Sequence, residues 1–185
     1  MRPARSLLGP GLAAIVMLAS GCGSGSPASG DEGIAIVASS NVYGDIAARI
    51  GGDAVTVTSI MSDPSADPHS YEANPQNLLA LSKADIVIAN GGGYDDFIDT
   101  MLSSADNPDA VVLHAVDLSG LAGGEEFNEH VWYHFGAMSS IATEIAAALS
   151  AVRPADQASF EANAAVGDDD VRPRQRQQVL RVCLV

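Results

Sequence analysis

From about residue 33 onward, apolar and polar positions fall into two alternating patterns. Four short runs, 34–38, 54–60, 85–89 and 110–113, are apolar and rich in β-branched residues. They lack the polar alternation of a half-exposed strand and read as parallel strands buried on both faces. Helical spacing lies between them. Val42, Ile46 and Ile50 recur every fourth position and stop at Gly51-Gly52. Asn74-Pro75 opens the next helix: the Asn side chain caps free amides, Pro fills a first-turn position whose missing N–H costs nothing, and Leu78, Leu79 and Ser82 carry the face. A third helix after residues 91–93 places Phe97, Ile98, Met101 and Leu102 on one stripe, and a fourth after His130 does the same with Met138, Ile141, Ile145 and Leu149. A fifth starts at Pro154, includes Phe160 and loses its pattern after Val166. The alternation predicts an α/β fold, a doubly wound sheet of about four parallel strands flanked by helices.

The two ends of the chain have a different character. Arg2 and Arg5 precede an apolar run over residues 7–18, broken by Gly and Pro and followed by Ala19, Ser20, Gly21 and Cys22. This is an export signal rather than a spanning helix. It resembles the lipobox of bacterial lipoproteins, which implies that Cys22 receives a diacylglycerol and becomes the new N-terminus. The alternative is an ordinary secretory signal cut nearby, leaving Cys22 a free thiol. A disulfide between Cys22 and Cys183 is not expected, since an acylated Cys22 has no thiol to give. Residues 23–32, rich in Gly, Ser, Pro and Ala, are expected to form a flexible tether. Residues 171–185 hold four Arg and no acid, directly after a stretch of the opposite character. They read as a basic interaction tail, or, the preferred reading, as an aberrant tail after a genuine frame that ends near Asp170.

With 185 residues, 47% hydrophobic and 17% charged, the chain is long enough to bury a core and too polar for a membrane bundle. One domain plus appendages is expected. All 23 acidic residues lie within residues 31–170, where only Arg49, Lys83 and Arg153 are basic, so the body is far more acidic than the net charge of −14 suggests. Such a field repels nucleic acid and concentrates cations. For most of these carboxylates a simple solvated surface explains as much.

Loops at the carboxyl ends of parallel strands are where open α/β sheets bind ligands. Two of them present an imidazole beside carboxylates: Asp63-Pro64-Ser65-Ala66-Asp67-Pro68-His69-Ser70-Tyr71-Glu72 and Asn128-Glu129-His130-Val131-Trp132-Tyr133-His134. Neutral imidazole is a good donor to first-row metals, and a neighbouring carboxylate can fix the ring through its second N–H. His69 and His130 are therefore candidate metal ligands, with solvated loop histidines as the bland alternative. Asp67, Glu129 and His134 are candidates to stand beside the metal without binding it. His130 and His134 are spaced as in zinc hydrolases, but the Glu those enzymes need directly after the first His is here Val131, so no general base is supplied. His134 reads better as a helix-start residue at the cleft rim, and Trp132 and Tyr133 as packing that positions His130. Residues 91–93, three glycines without a Lys or a dinucleotide-binding spacing, read as a tight turn.

Four stretches of the chain are familiar. Ile34-Ala35-Ile36-Val37-Ala38-Ser39-Ser40-Asn41-Val42-Tyr43-Gly44-Asp45-Ile46 resembles the opening strand and helix of the zinc- and manganese-binding receptors of ABC importers, the ZnuA/TroA-like solute-binding family. Asp67-Pro68-His69-Ser70-Tyr71-Glu72 resembles that family's first ligand loop, Ala84-Asp85-Ile86-Val87-Ile88-Ala89-Asn90-Gly91 the strand that follows, and Glu129-His130-Val131-Trp132-Tyr133 the second ligand loop. The resemblance covers about residues 33–166 in the expected order and implies that His69 and His130 are the first two metal ligands. It also implies a second α/β lobe, reached through a long helix, that supplies a His or Glu and then an Asp or Glu; this chain is expected to stop inside that helix. The implied division is a lipoprotein signal over 1–22, a tether over 23–32, an N-terminal metal-binding lobe over 33–152, the start of the inter-lobe helix over 153–170 and the aberrant basic tail over 171–185. Zinc-specific members often carry a His-rich insertion before the second ligand, whereas residues 114–129 here hold only His114, which leaves manganese or another divalent ion open beside zinc.

The function so implied is the extracytoplasmic, non-enzymatic binding component of a divalent-metal ABC transporter. It would be anchored by lipid at Cys22 to the outer face of the cell membrane, with the metal ion as transported ligand and the permease as partner. A monomer is expected, and no nucleic acid partner. Alternatives from other classes are a surface adhesion lipoprotein on the same fold and, less favoured, a zinc-dependent hydrolase.

Overall fold

Apolar side chains on both faces of one strand must be covered twice, and in the computed structural model the helices are arranged to do this. The structure describes residues 33–63, 65–72, 74–121 and 127–165. Cys22, the signal, the tether and the basic tail lie outside them. Four parallel strands, β1 (Ile34–Ser40), β2 (Val55–Met61), β3 (Ile86–Ala89) and β4 (Val111–His114), form a sheet in the order β2-β1-β3-β4. The central pair is in register with both neighbours: Ile36 lies between Val57 and Ile86, and Ala38 between Ser59 and Ile88. Successive side chains of β1 and β3 point to opposite faces, so Ile34, Ile36, Ala38, Ile86 and Ile88 enter one cluster while Val37, Val87 and Ala89 enter the other.

The first cluster is completed by α1 (Asn41–Gly51), the long α5 (Phe135–Val152) and Phe160 of a helix over residues 157–165, labelled α6. The second is completed by α2 (Pro75–Leu81) and α3 (Phe97–Ala105), which contribute Leu81, Ile98 and Met101. The edge strands are correspondingly wetter: Thr56 and Thr58 of β2 are exposed, as are Val111 and Val112 of β4. Among the described residues α5 alone is long and apolar enough to cross a membrane, with a mean hydropathy of 1.4. Its buried residues Ala137, Ile141, Ile145, Ala146, Ala148 and Leu149 form the stripe that lies against the core.

The sheet matches the expected doubly wound α/β class, and each expected strand is found within a residue or two. Two helical faces differ from their expected positions. In α1 the buried side chains are those of Tyr43, Ala47 and Ile50, beside the buried glycines Gly44 and Gly51, with Val42 and Ile46 only half-buried at the flank, because the helix is turned to carry the Tyr43 hydroxyl to Asn90. In α2 Leu81 is buried and Leu78 half-buried, whereas Leu79 is 57% exposed and Ser82 lies at the exposed end. A seven-residue helix meets the sheet through one such i, i+3 pair. The four-residue helix α4 (Ala115–Leu118), which buries Ala115 and Val116, is too short for its periodicity to show in the sequence.

The last turn of α1 sits hard against the start of β2. A Cβ on Gly51 would fall 2.2 Å from Val55 Cγ1 and 2.9 Å from Val55 Cβ, and no rotamer of a β-branched side chain moves its Cβ away. Gly51→Ala is therefore expected to lower stability by about 1–3 kcal/mol through overpacking, outweighing the gain of about 1 kcal/mol from helix propensity. Val55→Ala in the same chain should restore part of the loss. Denaturant unfolding of the two single variants and the double variant checks this; a more stable Gly51→Ala would contradict the close approach.

Candidate metal centre

The order β2-β1-β3-β4 reverses direction between β1 and β3, so a crevice opens at the carboxyl ends of these two strands. The loops that follow β2 and β3 carry side chains toward one another there, and a third loop, before α5, joins them.

After β2 the chain enters a short 3₁₀ turn, Pro68–Ser70. Asp67 starts it: its Oδ1 accepts the backbone N–H of His69 at 3.0 Å, and its carbonyl accepts the backbone N–H of Ser70 at 3.2 Å. Asp67 thus fixes the main chain under His69, as an Asx turn does. The exit of the loop is held by Tyr71. Its ring lies 4.6 Å from that of Phe97, and its hydroxyl accepts from Asn77 Nδ2 at 2.7 Å. His69 itself is exposed between these two anchors.

After β3 comes Asn90 and then three glycines, with φ of 75° at Gly91, 66° at Gly92 and 92° at Gly93. Three successive left-handed residues are the reason for the glycines. The buried carboxylate of Asp95 closes the turn by accepting the N–H groups of Asn90 at 2.6 Å and Gly91 at 2.8 Å. This delivers the ring of Tyr94 into the crevice. Its centroid lies 5.9 Å from His69, 5.5 Å from His130 and 4.9 Å from Trp132. Burial, and then the charges of Asp95, Asp67 and Glu129 among its neighbours, push the Tyr94 phenol above its ordinary range, so it stays neutral. The same carboxylates give the crevice a field that favours a cation.

In the third loop Asn128 repeats the role of Asp67. Its Oδ1 accepts the backbone N–H of His130 at 2.9 Å and lies 2.6 Å from the ring's Nδ1. An oxygen already accepting one N–H is matched by a second donor, so Nδ1 carries the proton and the lone pair of Nε2 is left for a ligand. Glu129 stands further off, with Oε1 3.7 Å from Nδ1. Trp132 packs on His130 at 4.9 Å, and the exposed Tyr133 stacks on it at 6.5 Å. His134 does something else: its Nδ1 accepts the N–H of Ala137 at 3.1 Å and caps α5. With that lone pair engaged and the proton on Nε2, His134 has none to offer a metal, and the pair a zinc hydrolase would use is not formed. His114 is at the end of β4, its ring beside Gly91 and its Nε2 3.7 Å from Asp99 of α3.

The structure thus gathers His69 and His130 around Tyr94, with Asp67 acting through the backbone, Glu129 at the edge and His134 in a helix cap. Among the described residues no three His, Cys, Asp or Glu side chains come together closely enough to hold an ion alone. Sequence reasoning did not single out Tyr94, Asn90, Asp95 and Asn128. A signal existed for Asn128, because Asp67-Pro68-His69 and Asn128-Glu129-His130 both place an Asx residue two positions before the His.

A family model described as zinc-uptake complex component A, periplasmic, matches residues 36–173. The manganese-binding lipoprotein MntA of Bacillus subtilis (strain 168) is 31% identical over 172 residues, which cover 88% of this chain and 56% of that protein. A crystal structure of ZnuA superposes with a TM-score of 0.67 at 27% identity, over 77% of this chain and 56% of that one. The nickel-bound SBP FpvC of P. aeruginosa superposes with a TM-score of 0.70 over 81% of this chain and 55% of that one; at 24% identity the likeness is one of fold. The chain spans about half the length of the curated relatives it matches. On the family match over residues 36–173, the chain belongs to the ZnuA family.

Proposed function

We propose that this chain is the metal-capturing part of an extracytoplasmic receptor for a divalent-metal ABC importer, with His69 and His130 as two ligands of the transported ion and no reaction catalysed. The observation that carries this reading is the packing of both imidazoles against one ring, Tyr94, at the carboxyl end of the sheet, with Nε2 of His130 left as a donor by Asn128. Family membership supports it, as do the manganese-binding lipoproteins among the relatives. Zinc or manganese is the cargo: the two imidazoles suit zinc, and manganese would draw more of its shell from carboxylate or water oxygen. Cys22 carries the lipid that holds the receptor at the outer face of the membrane, and the permease receives the ion. The chain acts as a monomer, with residues 33–152 forming the metal-binding lobe and the segment from residue 153 leading toward a second one.

The number of donors sets the expected affinity. Zinc in a closed protein site takes four ligands, with nitrogen at about 2.0–2.1 Å. Two imidazoles leave the rest of the shell to water or a nearby carboxylate, so the chain should bind Zn²⁺ or Mn²⁺ measurably but far more weakly than a two-lobed relative. Affinity should fall as the pH is lowered, because only unprotonated imidazole binds metal.

Calorimetric titration tests the ligands directly. His69→Ala and His130→Ala should each remove most of the binding, and His114→Ala should change little. Asn128→Ala should weaken binding by about tenfold or more, because the partner that orients a ligating ring is lost. Tight binding in both the His69 and His130 variants would place the site elsewhere. An adhesin using this fold would keep its host or cell-wall partner without the two histidines, and a hydrolase would show metal-dependent turnover on peptides or esters.

The anchor is tested separately. A diacylated Cys holds a protein stably where one acyl chain does not. The mature protein should therefore partition with membranes, and Cys22→Ala should release it and change its mass; an unchanged membrane fraction and mass would remove the lipid from the account.

A further inference from the structure

The ligand loop before α5 belongs to neither strand of the crevice, yet it is tied to the sheet at one point. Asn90, fully buried at the tip of β3, donates from Nδ2 to the carbonyl of Gly91 at 2.9 Å and to the carbonyl of Glu129, also at 2.9 Å. Glu129 is the residue immediately before His130. Its carbonyl also accepts the N–H of Val131 at 2.8 Å, so both lone pairs are engaged. The amide can face only one way: two carbonyl oxygens accept and cannot donate, so the NH₂ group must meet them and Oδ1 must point away. Oδ1 there accepts the hydroxyl of Tyr43, a side chain of α1 with no exposed surface. Burial and the nearby Asp95 hold the Tyr43 phenol far above its usual range, so this donor keeps its proton at neutral pH. Asp95 in turn fixes the backbone from which Asn90 reaches, by accepting the N–H groups on both sides of the Asn90 α-carbon, its own and that of Gly91.

We propose that Asn90 is a positioning residue for the metal site, its side-chain amide setting the place of the His130 loop relative to β3 and Tyr94. The proposal rests on the reading of His130 as a ligand. Asn90 touches neither the metal nor His130. It acts through the Glu129 carbonyl, and its orientation is enforced from the far side by Tyr43. A helix on one face of the sheet thereby helps set a ligand that stands at its end.

Asn90→Asp keeps the shape but puts a carboxylate oxygen against two carbonyl oxygens, which pushes the Glu129 carbonyl away. Asn90→Ala removes the tie without adding charge and carries the same comparison should Asn90→Asp not fold. Leu149→Ala is the control for stability alone, since Leu149 is buried about four turns down α5 from the ligand loop. With the full chain and Zn²⁺ or Mn²⁺ alone as probe, the folded Asn90 variants should lose about tenfold or more in affinity, while Leu149→Ala lowers the melting temperature by as much or more and changes affinity by less than about twofold. Backbone amides of residues 127–134 should exchange faster in the Asn90 variants without metal, and those of β1 should not. Parental affinity and unaltered exchange over 127–134 in folded Asn90→Ala would overturn the proposal, as would an equal loss of affinity in Leu149→Ala. His69→Ala and His130→Ala titrated alongside separate the two claims. If those variants bind normally, the ligand assignment fails, while the exchange comparison still judges the tie between Asn90 and the loop.

Discussion

Burial of β1 and β3 on both faces is the constraint from which the rest follows. With α1, α5 and α6 on one side and α2 and α3 on the other, the two central strands have no free face for chemistry, and their polar backbone is spent in the ladder. What remains is the carboxyl end, where the strand order reverses between β1 and β3. A loop leaving β2 and a turn leaving β3 must pass this point, and the third loop reaches it because α5 packs back against α1. His69, Tyr94 and His130 meet there as a consequence of the layer arrangement.

At that meeting point each imidazole stands on a short local device rather than on deep packing. Asp67 and Asn128 each accept the backbone N–H of the His two residues on, which fixes the main chain in a turn where side chains are partly exposed. Asn128 adds a contact to the ring itself and so selects the tautomer. Behind them the buried set of Tyr43, Asn90 and Asp95 joins helix, strand and loop through hydrogen bonds that are paired throughout. A paired polar network of this kind is rigid, because each member left without its partner would be buried and unsatisfied. Local turns that hold donors open to solvent, over a rigid base, suit an ion that must enter and leave.

The fold was legible because β-branched runs and helical spacing report burial directly. The β1 run Ile34-Ala35-Ile36-Val37-Ala38 gave the central strand, though not its last two residues; Ser39 and Ser40 are buried despite being polar, and polarity is what marks a strand end in a sequence. The face of α1 was displaced because Tyr43 is both apolar and a donor, and its hydroxyl, invisible to periodicity, decides the rotation. His69 and His130 were legible as imidazoles in loops beside acids. Tyr94 was not, since it is far from both in sequence and only the reversal of strand order brings it between them. Asn90 reads in a sequence as a residue that ends a strand, and its partner Glu129 offers a backbone carbonyl that no side-chain pattern records.

The claim on which the account turns is that one ion binds His69 and His130 together. Crystals of the chain grown with Zn²⁺ or Mn²⁺, measured on either side of the metal's absorption edge, locate that ion directly. A single anomalous peak is expected in the crevice beside Tyr94, within bonding distance of Nε2 of His130 and of the His69 ring, about 2.0–2.1 Å from each nitrogen for zinc. A peak bound only by carboxylates elsewhere on the acidic surface, with both imidazoles free, would contradict it.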